Sequence, residues 1–343
     1  MPNDQYLNEL HPNIYLNVLR ASAFFSTCAF VIGVYLILFK TPKRFGTYKY
    51  FMLNITISAY LFDIYTSLIY APLPLFPILY ACALGSIQLL GQRFGGIYSY
   101  DIFIVLFGVA NVSILVAIAY RYAILKGWSH WFRSKTGILV IALIELTASS
   151  PVIFTRHIAI GNQIANRNKV VEVFPYSKYV LENYYCTGVS FEYNMALTTM
   201  FMINTFAAFV IAVPIALFFI LKCFTILNDF TSKISPMTRK LHRELIFSLL
   251  FQFACPLFTL VIPFVILVIL GSLRIYTSTH YAQYIVLFGT FHSVGNTLML
   301  IVTVRPFRNV LLSVVGKKVE PVSWLYTTKQ SGLPNAINLS QIS

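Results

Sequence analysis

Apolar residues gather into seven stretches along this chain, over 18–39, 50–70, 97–120, 137–154, 195–220, 245–270 and 281–304. Crossing a bilayer takes about 20 apolar residues, each adding about 1.5 Å of helix rise, and every stretch comes close to that length. The pattern predicts an all-α membrane protein, a seven-transmembrane helix bundle. Polar connections between the stretches are mostly short; the longest outer segment, 155–194, holds enough aromatics to fold as a lid over one mouth of the bundle. The segment 72–96 is expected to leave span two irregularly, because Pro72, Pro74 and Pro77 withhold backbone donors. After span seven, Phe307, Val310, Leu311 and Val314 recur at helical spacing beside Arg308, Lys317 and Lys318. This predicts a short amphipathic helix on the membrane surface and then a disordered tail. Three regions result: 1–17 outside, a membrane domain over 18–304, and a cytoplasmic amphipathic helix with tail over 305–343.

Charge sets the orientation. Of the 25 lysines and arginines, 18 lie in the connections after spans one, three and five and in the tail, so the amino terminus is expected outside and the tail inside. A net charge of +14 would suit nucleic acid if it were clustered. Spread over juxtamembrane loops, it orients spans and meets anionic lipid, so membrane lipid is an expected partner and nucleic acid is not. No basic region precedes span one, which is therefore read as the insertion signal itself. With 58% hydrophobic and only 10% charged residues, against about 25% charged in soluble domains, no soluble module is expected.

Pro151, Pro214, Pro256 and Pro263 fall inside spans and predict kinks. Pro256 and Pro263, seven apart, lie on one face and bend span six in a single sense, which makes it the expected moving part. Cys82 and Cys186 fall in outer loops and fit either a disulfide or two free thiols. No metalloprotease, dithiol, nucleophile-elbow or phosphate-loop motif occurs, and the six histidines lack metal-ligand spacing. The chain is read as a non-enzyme without cofactor or metal.

Ionisable groups inside a bilayer are costly and mark function. Asp63 in span two and His292 in span seven both fall about 20 Å from the inner face. The depths predict that they face each other or share a water, against separate satisfaction by neighbouring hydroxyls. Gly295 and Asn296 share the His292 face, where glycine admits a close helix and asparagine a hydrogen bond across the interface. Asp101, at the outer end of span three, is expected to meet a ligand or only water. Glu145 in span four has no identifiable partner.

Several blocks, in order along most of the chain, resemble one family. They are Phe39-Lys40-Thr41-Pro42-Lys43, Tyr48-Lys49-Tyr50-Phe51-Met52-Leu53-Asn54, Asp63, Pro72-Leu73-Pro74-Leu75-Phe76-Pro77, and Phe291-His292-Ser293-Val294-Gly295-Asn296-Thr297 leading to Arg305-Pro306-Phe307-Arg308. The chain resembles nematode seven-transmembrane chemoreceptors, serpentine classes H and I of the Str superfamily. The resemblance implies a G-protein-coupled receptor in the plasma membrane of sensory neurons, in their cilia, that detects small environmental chemicals. By that analogy Arg121, with Tyr122 at the inner end of span three, faces a heterotrimeric G protein. The basic end of the third inner connection (Arg239, Lys240, Arg243) offers a second contact. No acid precedes Arg121, and span seven lacks an Asn-Pro-x-x-Tyr run, a departure from rhodopsin-like patterns. Asp101, His292 and Asp63 are the candidate ligand-binding residues, and Pro214, Pro256 and Pro263 the candidate kinks. The alternatives are a small-molecule transporter, which would show repeated halves, and a ligand-gated channel, which would invert the charge bias if built like the insect odorant channels.

Overall fold

The computed structural model describes residues 11–76, 78–229, 236–263, 265–266 and 279–314. Span one is α1 (Pro12–Phe39) and span two is α2 (Tyr48–Ile64), prolonged by a π-helical turn, Tyr65–Ile69. Span three is α3 (Ser99–Lys126), entered through a second π-helical segment, Gln92–Tyr98, and closed by Gly127 at φ 81°, the left-handed position that glycine reaches without strain. A short helix, α4 (Ser129–Arg133), leads to span four, which is α5 (Lys135–Thr147) plus α6 (Ser150–Ile160). Pro151 sits in the first turn of α6, where its missing N–H costs no helical bond. Span five is one helix, α9 (Met195–Asp229), with Pro214 inside it.

Span six begins as α10 (Pro236–Pro256) and passes into a π-helical turn, Leu257–Val261, set between Pro256 and Pro263. Its expected outer end, 267–270, lies outside the described residues. Span seven corrects the expectation of one helix over 281–304. It is two helices, α11 (Thr279–Gly289) and α12 (His292–Thr303), bent by 47° across the break. A final helix, α13 (Arg305–Val314), follows at once; the rest of the expected tail, 315–343, lies outside the described residues. Among the described residues five helices are long and apolar enough to cross a membrane, and the bent pair makes a sixth.

Neighbouring spans run one to two, two to three, three to five, four to five, six to seven and seven back to one, and span six also packs on spans three and five, which closes the bundle. The end carrying most of the basic connections is called inner here. Its core joins Tyr48, Ile55, Ile114, Tyr120, Ile220, Leu245, Leu300 and Phe307. Phe307, fully buried, anchors α13 beneath the bundle. Large apolar side chains such as Phe24, Phe39 and Val210 stay more than 60% exposed, a surface suited to lipid.

The outer end differs most from the sequence reading. Instead of irregular chain, 72–96 contains β1 (Pro72–Leu75) and β2 (Tyr80–Ala83), which pair antiparallel. The long loop supplies α7 (Gln163–Val173), α8 (Lys178–Asn183) and β3 (Cys186–Gly188), and β3 completes a sheet ordered β1-β2-β3. Pro72 and Pro74 lie in an edge strand, where a strand tolerates a missing donor. The Pro72 carbonyl accepts the Tyr15 hydroxyl at 2.7 Å, fastening this edge to span one. Cys82 and Cys186 stand opposite each other in the β2–β3 register and are joined by a disulfide. A second core of Tyr15, Leu19, Leu73, Leu75, Val170, Val180 and Leu181 lies within this cap.

Candidate functional site

At the outer end the Asp101 carboxylate is paired within the protein: it takes the Arg156 guanidinium on one oxygen and the His157 ring, at 2.9 Å, on the other. Both partners belong to α6, one turn beyond the expected end of span four. Arg156 is 1% exposed although it carries a full charge. It also donates to the Thr187 hydroxyl of β3 at 2.8 Å and lies 4.5 Å from the Tyr100 ring centre. One buried cation therefore joins span three, span four and the disulfide-linked strand. Opposite charges at matching outer ends of consecutive spans were the signal available in the sequence. In the same cap Tyr80 is held above the usual tyrosine range by burial, a shift that the nearby Arg167 charge partly offsets.

At mid-depth the expected pairing of Asp63 with His292 is corrected by one residue. One Asp63 carboxylate oxygen accepts the backbone N–H of Ser293 at 2.8 Å and the Ser26 hydroxyl at 3.0 Å. Ser293 is in the first turn of α12, so Asp63 serves a donor that the helix cannot satisfy itself, at the end of a half-helix where the backbone dipoles are positive. Ser26 also lies 3.2 Å from the Thr290 carbonyl, on the other side of the break. Spans one and two thus hold both lips of the interruption in span seven. The His292 ring turns along its own helix to the Asn296 amide at 3.1 Å and meets the edge of Phe62. Hydrogen-bond valences stay open in this region: Asp63 Oδ1, His292 Nδ1, Ser293 Oγ and Asn296 Oδ1 are buried without a partner in the described structure.

Helix contact explains the neighbouring residues. A side chain at Gly295 would place its Cβ 2.8 Å from Cys255 Sγ, so the absence of one lets spans six and seven approach. The bond across that interface reaches the Asn296 carbonyl, not its side chain, from Gln252 at 3.4 Å. Glu145, partnerless in the sequence reading, accepts the Asn54 amide of span two at 2.7 Å.

Arg121 is 3% exposed at the inner end, its guanidinium carbon 3.2 Å from the Tyr48 ring centre. Its Nε and Nη2 are buried with no hydrogen-bond partner among the described residues. Tyr120, Phe51 and Phe132 extend the aromatic packing beside it. Tyr122 packs on Phe219 of span five, ring centres 5.4 Å apart. Arg239 and Lys240 fall in the first turns of α10 and their side chains lie outside the described ones, whereas Arg243 is exposed beside the Phe247 ring. Nearby, Glu244 of span six meets Arg305 at 2.8 Å. The structure thus separates the candidates into an outer ionic cluster, a mid-depth polar node and an inner aromatic–arginine lock. Among the described residues no group of three or more His, Cys, Asp or Glu is arranged to hold a metal ion.

Residues 11–317 match a family model described as serpentine type 7TM GPCR chemoreceptor Srh. No curated protein matches the chain. The match covers the whole bundle and favours class H over class I, and a multi-pass membrane chemoreceptor agrees with the apolar helices and their lipid-facing surface. The chain belongs to the Srh family of serpentine seven-transmembrane GPCR chemoreceptors.

Proposed function

We propose that this chain binds a small environmental chemical from the outer side and activates a heterotrimeric G protein at its inner face, from the plasma membrane of a sensory cilium. The observation that carries the coupling half is the state of Arg121. A cation at the inner end of span three, buried on Tyr48 with two nitrogens unpartnered, sits in an arrangement whose cost is relieved on opening. On this reading the structure is the closed state. A ligand that binds the open state better shifts the population towards it, and movement of span six at its Pro256–Pro263 kink opens a crevice beside Arg121 and Tyr122. Arg239, Lys240 and Arg243 at the foot of span six then meet the partner. The ligand is expected against the outer halves of spans three, five, six and seven, beneath the folded 155–194 segment.

The interrupted span seven favours one rival, since half-helices that end inside the membrane are how transporters hold solutes. A second-messenger assay with co-expressed G proteins, run against a panel of volatile and soluble chemicals, separates the two. A ligand-evoked signal that needs the G protein and is lost in surface-expressed Arg121→Ala supports the receptor. Ligand uptake that proceeds without G protein and survives Arg121→Ala overturns it.

A further inference from the structure

A groove of about 250 Å³ opens at the outer end between spans one and two, away from the expected ligand region. Its walls are Leu16 and Arg20 of α1, Ser67 and Leu68 of the π-helical turn, and Gln88 and Leu89 beyond β2. The local backbone is built unusually. The π-helical turn ends span two, and Ala71, also part of the lining, holds a φ of 44° that side chains other than glycine rarely adopt. Gly85 completes the lining, its backbone so close that a Cβ there would lie 2.3 Å from the Ile69 carbonyl oxygen. Its N–H donates to the Tyr70 carbonyl at 3.0 Å, while that of Leu84 donates to Ala71 at 3.1 Å. These bonds fix the concavity.

The chemistry of the lining selects a ligand class. Among the described residues that line the groove, Arg20 supplies the only formal charge and none is acidic. Ser67, Ser86 and Gln88 add neutral polar groups, and four leucines with Ala71 and Gly85 form the remaining walls. Leu68 and Leu89 are 42% and 86% exposed, so the groove runs out onto the apolar flank of the bundle. Its volume falls below the roughly 300 Å³ at which drug-sized pockets begin. It therefore has room for a head group and the first carbons of a chain whose remainder lies along those leucines. We propose that this groove binds an anionic amphiphile, a carboxylate or phosphate head on Arg20 with a single apolar tail. Such a ligand reaches the groove either from the outer aqueous phase as a soluble acid or sideways from the outer leaflet as a lipid. The site is separate from the proposed chemosensory pocket, and its occupancy bears on how span one packs against span two.

The test is direct binding to the purified full chain in neutral detergent, with 11-(dansylamino)undecanoic acid as fluorescent probe and its primary alcohol analogue as control. The acid is expected to bind about tenfold or more tightly than the alcohol, the scale of one charge-assisted hydrogen bond. Arg20→Gln should bring the acid down to the level of the alcohol, while Arg20→Lys keeps most of the difference. Arg20 is exposed, so the variants should fold, which protection of the buried Cys223 thiol checks in a Cys28→Ser background, Cys28 being an exposed free thiol. Displacement by aqueous octanoate assigns a soluble acid, and displacement by lysophosphatidate alone, in nanodiscs, assigns a membrane lipid. Equal affinity for acid and alcohol, acid binding unchanged in Arg20→Gln, or displacement by neither competitor overturns the proposal.

Discussion

Asp101→Ala asks whether the outer carboxylate is committed to the fold or free for a ligand. The substitution leaves the Arg156 charge, 1% exposed, without its anion. Breaking one side of a buried ion pair costs about 3–5 kcal/mol, because the remaining charge stays buried and uncompensated. Two contacts soften the loss here. The Thr187 hydroxyl still accepts one donor at 2.8 Å, and the Tyr100 ring at 4.5 Å supplies a cation–π attraction of about 1 kcal/mol. The expected loss is therefore at the lower end, about 3 kcal/mol. Arg156→Met strands Asp101 instead, but that carboxylate is 13% exposed and keeps His157, so the loss is smaller. The double variant removes both charges and fills the site with apolar volume. It is expected within about 1 kcal/mol of the parent, as for buried pairs replaced by hydrophobic groups. The assay is equilibrium unfolding in mixed micelles of rising sodium dodecyl sulfate content, followed by reaction of the buried Cys223 thiol in a Cys28→Ser background, which removes the exposed free thiol. A coupling energy above about 1.5 kcal/mol is expected from the cycle. Losses that add within about 0.5 kcal/mol would refute the reasoning. If Asp101→Ala were then stable but silent to ligand, the carboxylate would return to the binding site.

At the span-seven break, Asp63→Asn keeps an acceptor for the Ser293 N–H, whereas Asp63→Ala leaves that donor buried and unmade. The same unfolding assay should find alanine about 1–3 kcal/mol below asparagine; equal stabilities would remove the capping role. Gly295→Ala drives a methyl to within 2.8 Å of Cys255 Sγ and should cost about 1–3 kcal/mol by overpacking. Cys255→Ala in the same chain should recover most of that loss, and failure to recover it would place the strain elsewhere. The disulfide closes a sequence separation of 104 residues, so reductant should destabilise the parent by about 2–4 kcal/mol. Cys82→Ser should start from the lower stability and not respond to reductant; a parent indifferent to reductant would argue against the bond.

The seven apolar stretches were legible because a bilayer imposes one length and one polarity on whatever crosses it. Their ends were less so: α1 begins at Pro12 and α9 runs to Asp229, since a helix continues past the hydrocarbon wherever nothing breaks it. The break at Thr290–Phe291 left no proline to read; it is held by Ser26 and Asp63, remote in sequence. The same distance hid the partners of Asp101 and Glu145, because hydropathy reports depth but not which helix faces which. Depth arithmetic still brought Asp63 to the right turn of span seven and missed by one residue, since the partner is the Ser293 N–H and not the His292 ring. The cap sheet was hidden for a different reason. β1, β2 and β3 are 4, 4 and 3 residues long, too short for alternation to register, and the prolines of β1 argue for coil unless an edge strand is already suspected.

The contacts between spans six and seven bear on the proposed movement. They are of unequal strength along the interface. Nearest the inner rim stands Glu244–Arg305, whose side chains are 18% and 48% exposed; an ion pair so wetted is worth about 0–1 kcal/mol. Next comes Gln252 to the Asn296 carbonyl, long at 3.4 Å. Then comes the Gly295–Cys255 contact, where the two helices approach so closely that a methyl has no room. Immediately beyond it lies the π-helical turn Leu257–Val261, a backbone form with loosened hydrogen bonding that recurs at functional sites. Polar attachment is therefore weakest at the rim and the backbones are closest beside the turn, which is how a lever is held at its pivot. An inner half of span six that swings about Gly295–Cys255 keeps its own helical bonding and gives up the packing of Leu245, Ile246 and Leu249 in the inner core. Arg121 and Tyr48, on spans three and two, stay where they are and lose only their cover.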